Sequence, residues 1–109
     1  MEHRAPSTRL LVQVPEGQLV AERWSTGPDR AVVLLVHGYP DNRRTWEPLA
    51  RLLCDQFDVV AYDVRGAGES FTPTSRAAYR LDRLAADLIA VIDAVSPTRA
   101  VHLVGHDWG

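Results

Sequence analysis

In the stretch "VGHDWG", Asp107 stands with a glycine two places to either side, Gly105 and Gly109. Glycine is placed where a side chain would clash. This small–x–Asp–x–small spacing after an apolar run therefore reads as a sharp strand-to-helix turn that pushes its central side chain out above a sheet. Serine is the usual occupant, and it must lose a proton to a neighbouring base before it attacks an acyl carbon. A carboxylate is already anionic near pH 7 and needs no such base. Asp107 is therefore the candidate nucleophile for displacement at a saturated carbon. It would open a strained epoxide or break a carbon–halogen bond, leaving an alkyl ester on the enzyme. Water must then attack the carboxyl carbon, and the oxygen that turns negative needs hydrogen-bond donors.

"HGYP" (His37 to Pro40) is the expected source of one donor. A glycine and a proline directly after an apolar run give a bent loop whose backbone N–H groups can face a site. The expected pair is the N–H of Tyr39 and the N–H of Trp108, the residue after the nucleophile. Pro40 has no N–H, and the Tyr39–Pro40 bond is a candidate for the cis form. His37, Gly38, Pro40, Gly105 and Gly109 are read as shaping the two loops. His37 and His106 are read as structural, and His102, alternating with apolar neighbours, as a satisfied sheet residue. Asp63 and Arg65 are expected to brace their loop together.

These loops need a frame. "RLLVQV" (Arg9 to Val14) and "QLVAERW" (Gln18 to Trp24) around "PEG" predict a β-hairpin. "AVVLLV" (Ala31 to Val36) and "FDVVAY" (Phe57 to Tyr62) are apolar enough for strands covered on both faces, and "AVHLV" (Ala100 to Val104) is the last strand. A helix is expected from about Thr45, capped by its hydroxyl, with Glu47 and Pro48 in the first turn and Leu49, Leu52 and Leu53 as the buried face. Cys54 is read as packing. A second helix spans Leu81 to Val95, its apolar side formed by Leu81, Leu84, Leu88, Val91, Ile92 and Val95 and its Arg and Asp residues on a solvated face, Arg83 and Asp87 one turn apart. Ser96-Pro97 ends it. A hairpin followed by β, α, β, α, β predicts an α/β fold with a parallel sheet, whose ligands bind at the carboxyl ends of the strands. "HGYP", "DVRGAGES" and "GHDWG" all fall at those ends.

Composition excludes more than it selects. With 46% hydrophobic and 24% charged residues and a formal net charge of −2, the chain is ordinary for a globular protein and offers no basic surface for nucleic acid or an anionic membrane. All 12 basic residues are Arg. Cys54 is the single cysteine, which suits a reducing compartment, and the first residues lack the apolar core of a signal peptide, so a cytoplasmic location is expected. No apolar stretch approaches the ~20 residues that span a membrane. Gly66 and Gly68 match two glycines of a dinucleotide fingerprint, but Phe71 stands at the third, so no nicotinamide site is expected. No cofactor and no metal are expected either; the partner is a small-molecule substrate, and oligomeric state is left open.

"HGYP", "YDVRGAGES" and "VGHDWG", in this order and spacing, resemble an α/β-hydrolase fold epoxide hydrolase from Arg9 onward. The resemblance implies the N-terminal half of that fold, an incomplete domain over residues 1–109 that ends at the nucleophile elbow. It implies Asp107 as nucleophile and the Tyr39 and Trp108 amides as oxyanion hole. A general-base His, its carboxylate partner and lid tyrosines are expected beyond the chain end, so the 109 residues alone are expected not to turn over. "GHDWG" is shared with haloalkane dehalogenases, which usually carry Asn where Tyr39 stands; fluoroacetate-type dehalogenases usually carry Arg where Trp108 stands. A dehalogenase with the same Asp nucleophile is therefore the alternative, and a non-catalytic α/β-hydrolase fragment a second one. The chain is also similar to the hydrolase half of bacterial proteins that fuse such a domain to a short-chain dehydrogenase.

Overall fold

The computed structural model describes residues 7–106. Asp107, Trp108 and Gly109, to which the nucleophile, one oxyanion donor and a loop-shaping role were assigned, lie outside them. The elements are β1 (Ser7–Val14), β2 (Gly17–Trp24), β3 (Val32–Val36), a 3-10 turn (Arg43–Trp46), α1 (Glu47–Leu53), β4 (Asp58–Tyr62), a second 3-10 turn (Arg76–Tyr79), α2 (Leu81–Val95) and β5 (His102–Gly105). The predicted order holds throughout, with strand ends shifted by one or two residues.

One five-stranded sheet runs β1-β2-β4-β3-β5. β1 and β2 form the antiparallel hairpin, closed by Val14 opposite Gly17. β2 then lies antiparallel to β4, whereas β3 is parallel to both β4 and β5. The sheet is thus mixed, because the hairpin docks its second strand against β4.

Every residue of β3 is buried. Val32, Leu34 and Val36 join Val60, Tyr62 and the α2 residues Val91 and Val95 on one face, while Val33 and Leu35 join Val59, Ala61, Ala50 and Cys54 on the other. Burying one such aliphatic side chain contributes ~1.5–3 kcal/mol. The two-sided cover explains why β3 and β4 are continuous apolar runs.

α1 departs from expectation. Leu52 is 78% exposed and Leu49 lies at the surface, whereas Ala50 and Cys54 are fully buried and Leu53 partly so. Positions 49, 52 and 53 and positions 50, 53 and 54 both satisfy helical spacing, and the sheet takes the set with smaller side chains. Nor does Thr45 cap the helix. Asn42 caps the preceding 3-10 turn by accepting from the Arg44 N–H, and α1 follows with Pro48 in its first turn. In α2, Leu81 is 80% exposed at the first position and Asp87 is buried, so the Arg–Asp content is not one solvated face. Cys54 is buried and packs, as expected.

Candidate functional site

β3 is a switch point of the sheet. Its α1 connection returns the chain to β4 on one side, and the α2 connection from β4 returns it to β5 on the other. The two helices cover opposite faces, so the loops after β3 and β4 diverge and leave a crevice at their carboxyl ends. A cleft of about 470 Å³ lies there, between the turn around Tyr39 and Pro40 and the loop around Val64 and Gly66, with Tyr79 and Leu84 beyond.

The turn after β3 is closed by the Asp41 N–H donating to the Gly38 carbonyl at 2.8 Å, around a cis Tyr39–Pro40 bond. Its Tyr39 side chain is 83% exposed. Among the described residues the Tyr39 N–H has no hydrogen-bond acceptor. His37 is buried. The Val64 N–H donates to its Nε2 at 3.0 Å, so the ring proton sits on Nδ1 and is directed to the Gly38 carbonyl, also 3.0 Å away. Both nitrogens are committed, and His37 has none left for proton transfer.

The loop after β4 is held from two directions. Asp63 and Arg65 are expected to brace this loop together, and each holds it through a different partner. The fully buried Asp63 accepts from the Arg43 N–H at 2.7 Å, Arg43 Nη1 at 2.5 Å and the Glu69 N–H at 2.9 Å. Gly68, at φ +51°, lies against this carboxylate, and a Cβ there would come within 2.3 Å of Asp63 Oδ2. Arg65 turns the other way, to Asp87 on α2 and Glu16 in the hairpin turn. Arg83 also bonds Glu16 instead of Asp87. Sequence reading missed Arg43, Asp63 and Asp87 as a framework; a buried acid on the Leu84, Leu88, Val91 stripe was the available signal.

Charge follows geometry. Burial disfavours the charge on Arg43, but its partners Glu69, Asp63 and Glu22 outweigh that and hold it more firmly protonated than a free guanidinium. The Arg43 hydrogen bond holds the Glu69 carboxyl below the ordinary 4.5, and the Arg65 hydrogen bond, seconded by Arg83, does the same for Glu16. Both carboxylates bind protons less readily folded than unfolded. Their contribution to stability is therefore present above pH 4.5 and lost as pH falls through the lowered values. Urea midpoints should decline below that pH, and less steeply in E16Q/E69Q. Because both groups are exposed, the difference should shrink in high salt. Parallel curves for the two proteins would remove these carboxylates from the explanation.

The last described residues complete the arrangement. Gly105 is the register partner of Val36, and the His106 N–H donates to the Val36 carbonyl at 3.2 Å. The residue before Asp107 is thus bonded to the residue before His37, so the two predicted loops start side by side. His106 is exposed, and His102 lies at the exposed edge of the sheet with its ring edge-on to Phe57. His102 is a sheet residue, as expected, in β5 opposite Val33, and β5 pairs with β3 alone among the described strands.

A mixed sheet with helices on both faces and a cleft between the loops at the carboxyl ends of β3 and β4 defines a class, and the sequence profile for the alpha/beta hydrolase fold matches residues 31–109. The chain belongs to the α/β-hydrolase fold family. Among curated relatives, it is 41% identical over 99 residues to "Probable oxidoreductase EphD" of Mycobacterium tuberculosis, covering 91% of this chain and 17% of the relative. It is 43% identical over 83 residues to "Epoxide hydrolase A" of the same organism, covering 75% of this chain and 26% of the relative. A solved epoxide hydrolase from Vigna radiata superposes with a TM-score of 0.86 at 30% identity, over 94% of this chain and 32% of that one. The chain therefore spans between about a sixth and a third of the length of these proteins. No helix among the described residues is long and apolar enough to cross a membrane.

Proposed function

We propose that this chain carries the nucleophile elbow and oxyanion turn of an epoxide hydrolase acting on small-molecule epoxides in the cytoplasm. The observation that carries this is the His106–Val36 hydrogen bond, which sets the residue before Asp107 beside the strand end that leads into the Tyr39 turn, whose amide has no acceptor among the described residues. The relatives and the solved structure named as epoxide hydrolases support the choice of substrate. Tyr39 also supports it, since its side chain offers no N–H to a departing halide.

In the first step an Asp107 carboxylate oxygen attacks an epoxide carbon. The ring C–O bond breaks, and the released oxygen takes a proton from an acid to become a hydroxyl. The product is a hydroxyalkyl ester of Asp107. In the second step water, deprotonated by a base, adds to the carboxyl carbon, and the carbonyl oxygen becomes negative while Tyr39 and Trp108 amides donate to it. Collapse breaks the acyl–oxygen bond, releases the diol and restores the carboxylate.

A single turnover in heavy-oxygen water is expected to label Asp107 and leave the first diol unlabelled, because the enzyme's own oxygen departs with the diol. Mass spectrometry of the peptide containing "VGHDWG" and of the diol reads both. An unlabelled Asp107 beside a labelled diol would replace this mechanism with direct water attack.

A further inference from the structure

The turn that presents Tyr39 is tied at both ends to two consecutive residues of the neighbouring loop. At its start, His37 Nε2 accepts from the Val64 N–H at 3.0 Å. At its end, the Arg43 N–H donates to Asp63 Oδ1 at 2.7 Å while the Arg43 guanidinium grips Asp63 Oδ2 at 2.5 Å. His37, Arg43 and Asp63 are all buried, so neither tie competes with water. Between them Tyr39 and Pro40 are exposed. The position of the Tyr39 amide is therefore set from the ends of the turn, not by packing at its tip. Arg43 is held in turn by Glu22 at 3.1 Å and Glu69 at 2.7 Å, which fix its side chain from β2 and from the far end of the same loop.

We infer that Asp63 and His37 are positioning residues for the Tyr39 amide, and that through it they govern breakdown of the alkyl ester rather than its formation. This rests on the Asp107 mechanism proposed above. The selectivity follows from where charge resides. A donor at the oxyanion position stabilises the starting carboxylate and the tetrahedral intermediate, both anionic, but not the neutral ester between them. Misplacing the donor therefore raises the barrier from ester to intermediate. It does not raise the barrier to alkylation, where the carboxylate loses charge.

The test uses D63N and H37A in the intact enzyme, with R23Q as a control. Asn at position 63 keeps one acceptor for the Arg43 N–H but presents an NH₂ group where the carboxylate accepted donors. Ala at position 37 removes the acceptor for the Val64 N–H. R23Q breaks the Arg23–Asp58 ion pair at the opposite end of β4, so it lowers stability without touching the turn. Quenched single turnovers of an epoxide, read by the mass of the Asp107 peptide, give the alkylation and hydrolysis rates separately. D63N and H37A are each expected to slow ester hydrolysis by about 10²-fold, with alkylation unchanged within about threefold, so that ester accumulates. R23Q should accumulate none. Structural damage alone would lower both rates together, leaving their ratio unchanged.

If D63N does not fold, H37A decides. An Asp107 that takes heavy oxygen in the wild type, with no ester accumulating in the folded variants, would overturn the positioning role alone. A wild type that neither forms ester nor labels Asp107 would overturn both the role and the mechanism beneath it.

Discussion

Under the mechanism proposed above, Asp107→Ala is expected to slow epoxide opening by about 10⁴- to 10⁶-fold, the loss seen when an attacking group is removed from a site whose binding groups survive. Alanine cannot form the proposed ester. The size of the loss depends on whether another carboxylate can take over. Asp63 cannot, because it is fully buried and its oxygens already accept three N–H groups. Asp41 is the acid that lines the cleft among the described residues, and it is exposed beside the Tyr39–Pro40 turn. D41N is therefore the informative companion, expected to cost no more than about tenfold. Steady-state diol formation by the two variants decides between them, and the reverse ranking would move the nucleophile to the β3 turn. Loss of rate in D107A fits a nucleophile or a base for water equally well, so the heavy-oxygen label remains the measurement that separates those two.

What the sequence displayed was local. β3 and β4 are covered on both faces, so their apolar runs declared them strands, and a 15-residue amphipathic stretch declared α2. Once the alternation was read, the loops at the carboxyl ends followed. The choice of face on α1 was not legible, because two sets of positions share the same spacing and only the sheet's preference for close approach by Ala50 and Cys54 selects between them. Nor was the antiparallel docking of β2 on β4, since nothing in either strand names its neighbour. The candidate site divides the same way. Gly and Pro announced the turns, but the ties that hold them, Arg43 to Asp63 and Arg65 to Asp87, join residues 20 and 22 positions apart. No periodicity carries such a pairing. A charge set on an apolar stripe, as Asp87 is, announces that a partner exists without saying which.

That partner makes Arg65→Ala the most destabilising change expected in this fold, by about 4–5 kcal/mol. Arg65 Nε and Nη2 reach both oxygens of Asp87 at 2.7 Å, with side chains only 1% and 4% exposed. Nη1 also donates to the Ala78 carbonyl at 2.7 Å and Glu16 at 3.0 Å, and the guanidinium stacks 4.9 Å from the centre of the Phe71 ring. Hydrogen bonding to Asp87 more than offsets burial, and holds Arg65 firmly protonated. Removing Arg65 strands the Asp87 carboxylate in the interior and empties the space over Phe71. Removing Asp87 is milder, about 3 kcal/mol, because Glu16 still neutralises the guanidinium. The apolar pair R65M/D87L should recover much of either loss, since most of the penalty belongs to the uncompensated charge. Urea midpoints of the three variants test the order. A cost below about 1 kcal/mol for R65A would place the pair among solvent-screened surface bridges, despite its burial. The consequence reaches the cleft, because Arg65 belongs to the loop that supplies Val64 and Gly66 to its wall. A variant that loosens Arg65 loosens the same loop to which the Tyr39 turn is tied, so fold stability and site geometry are expected to fall together.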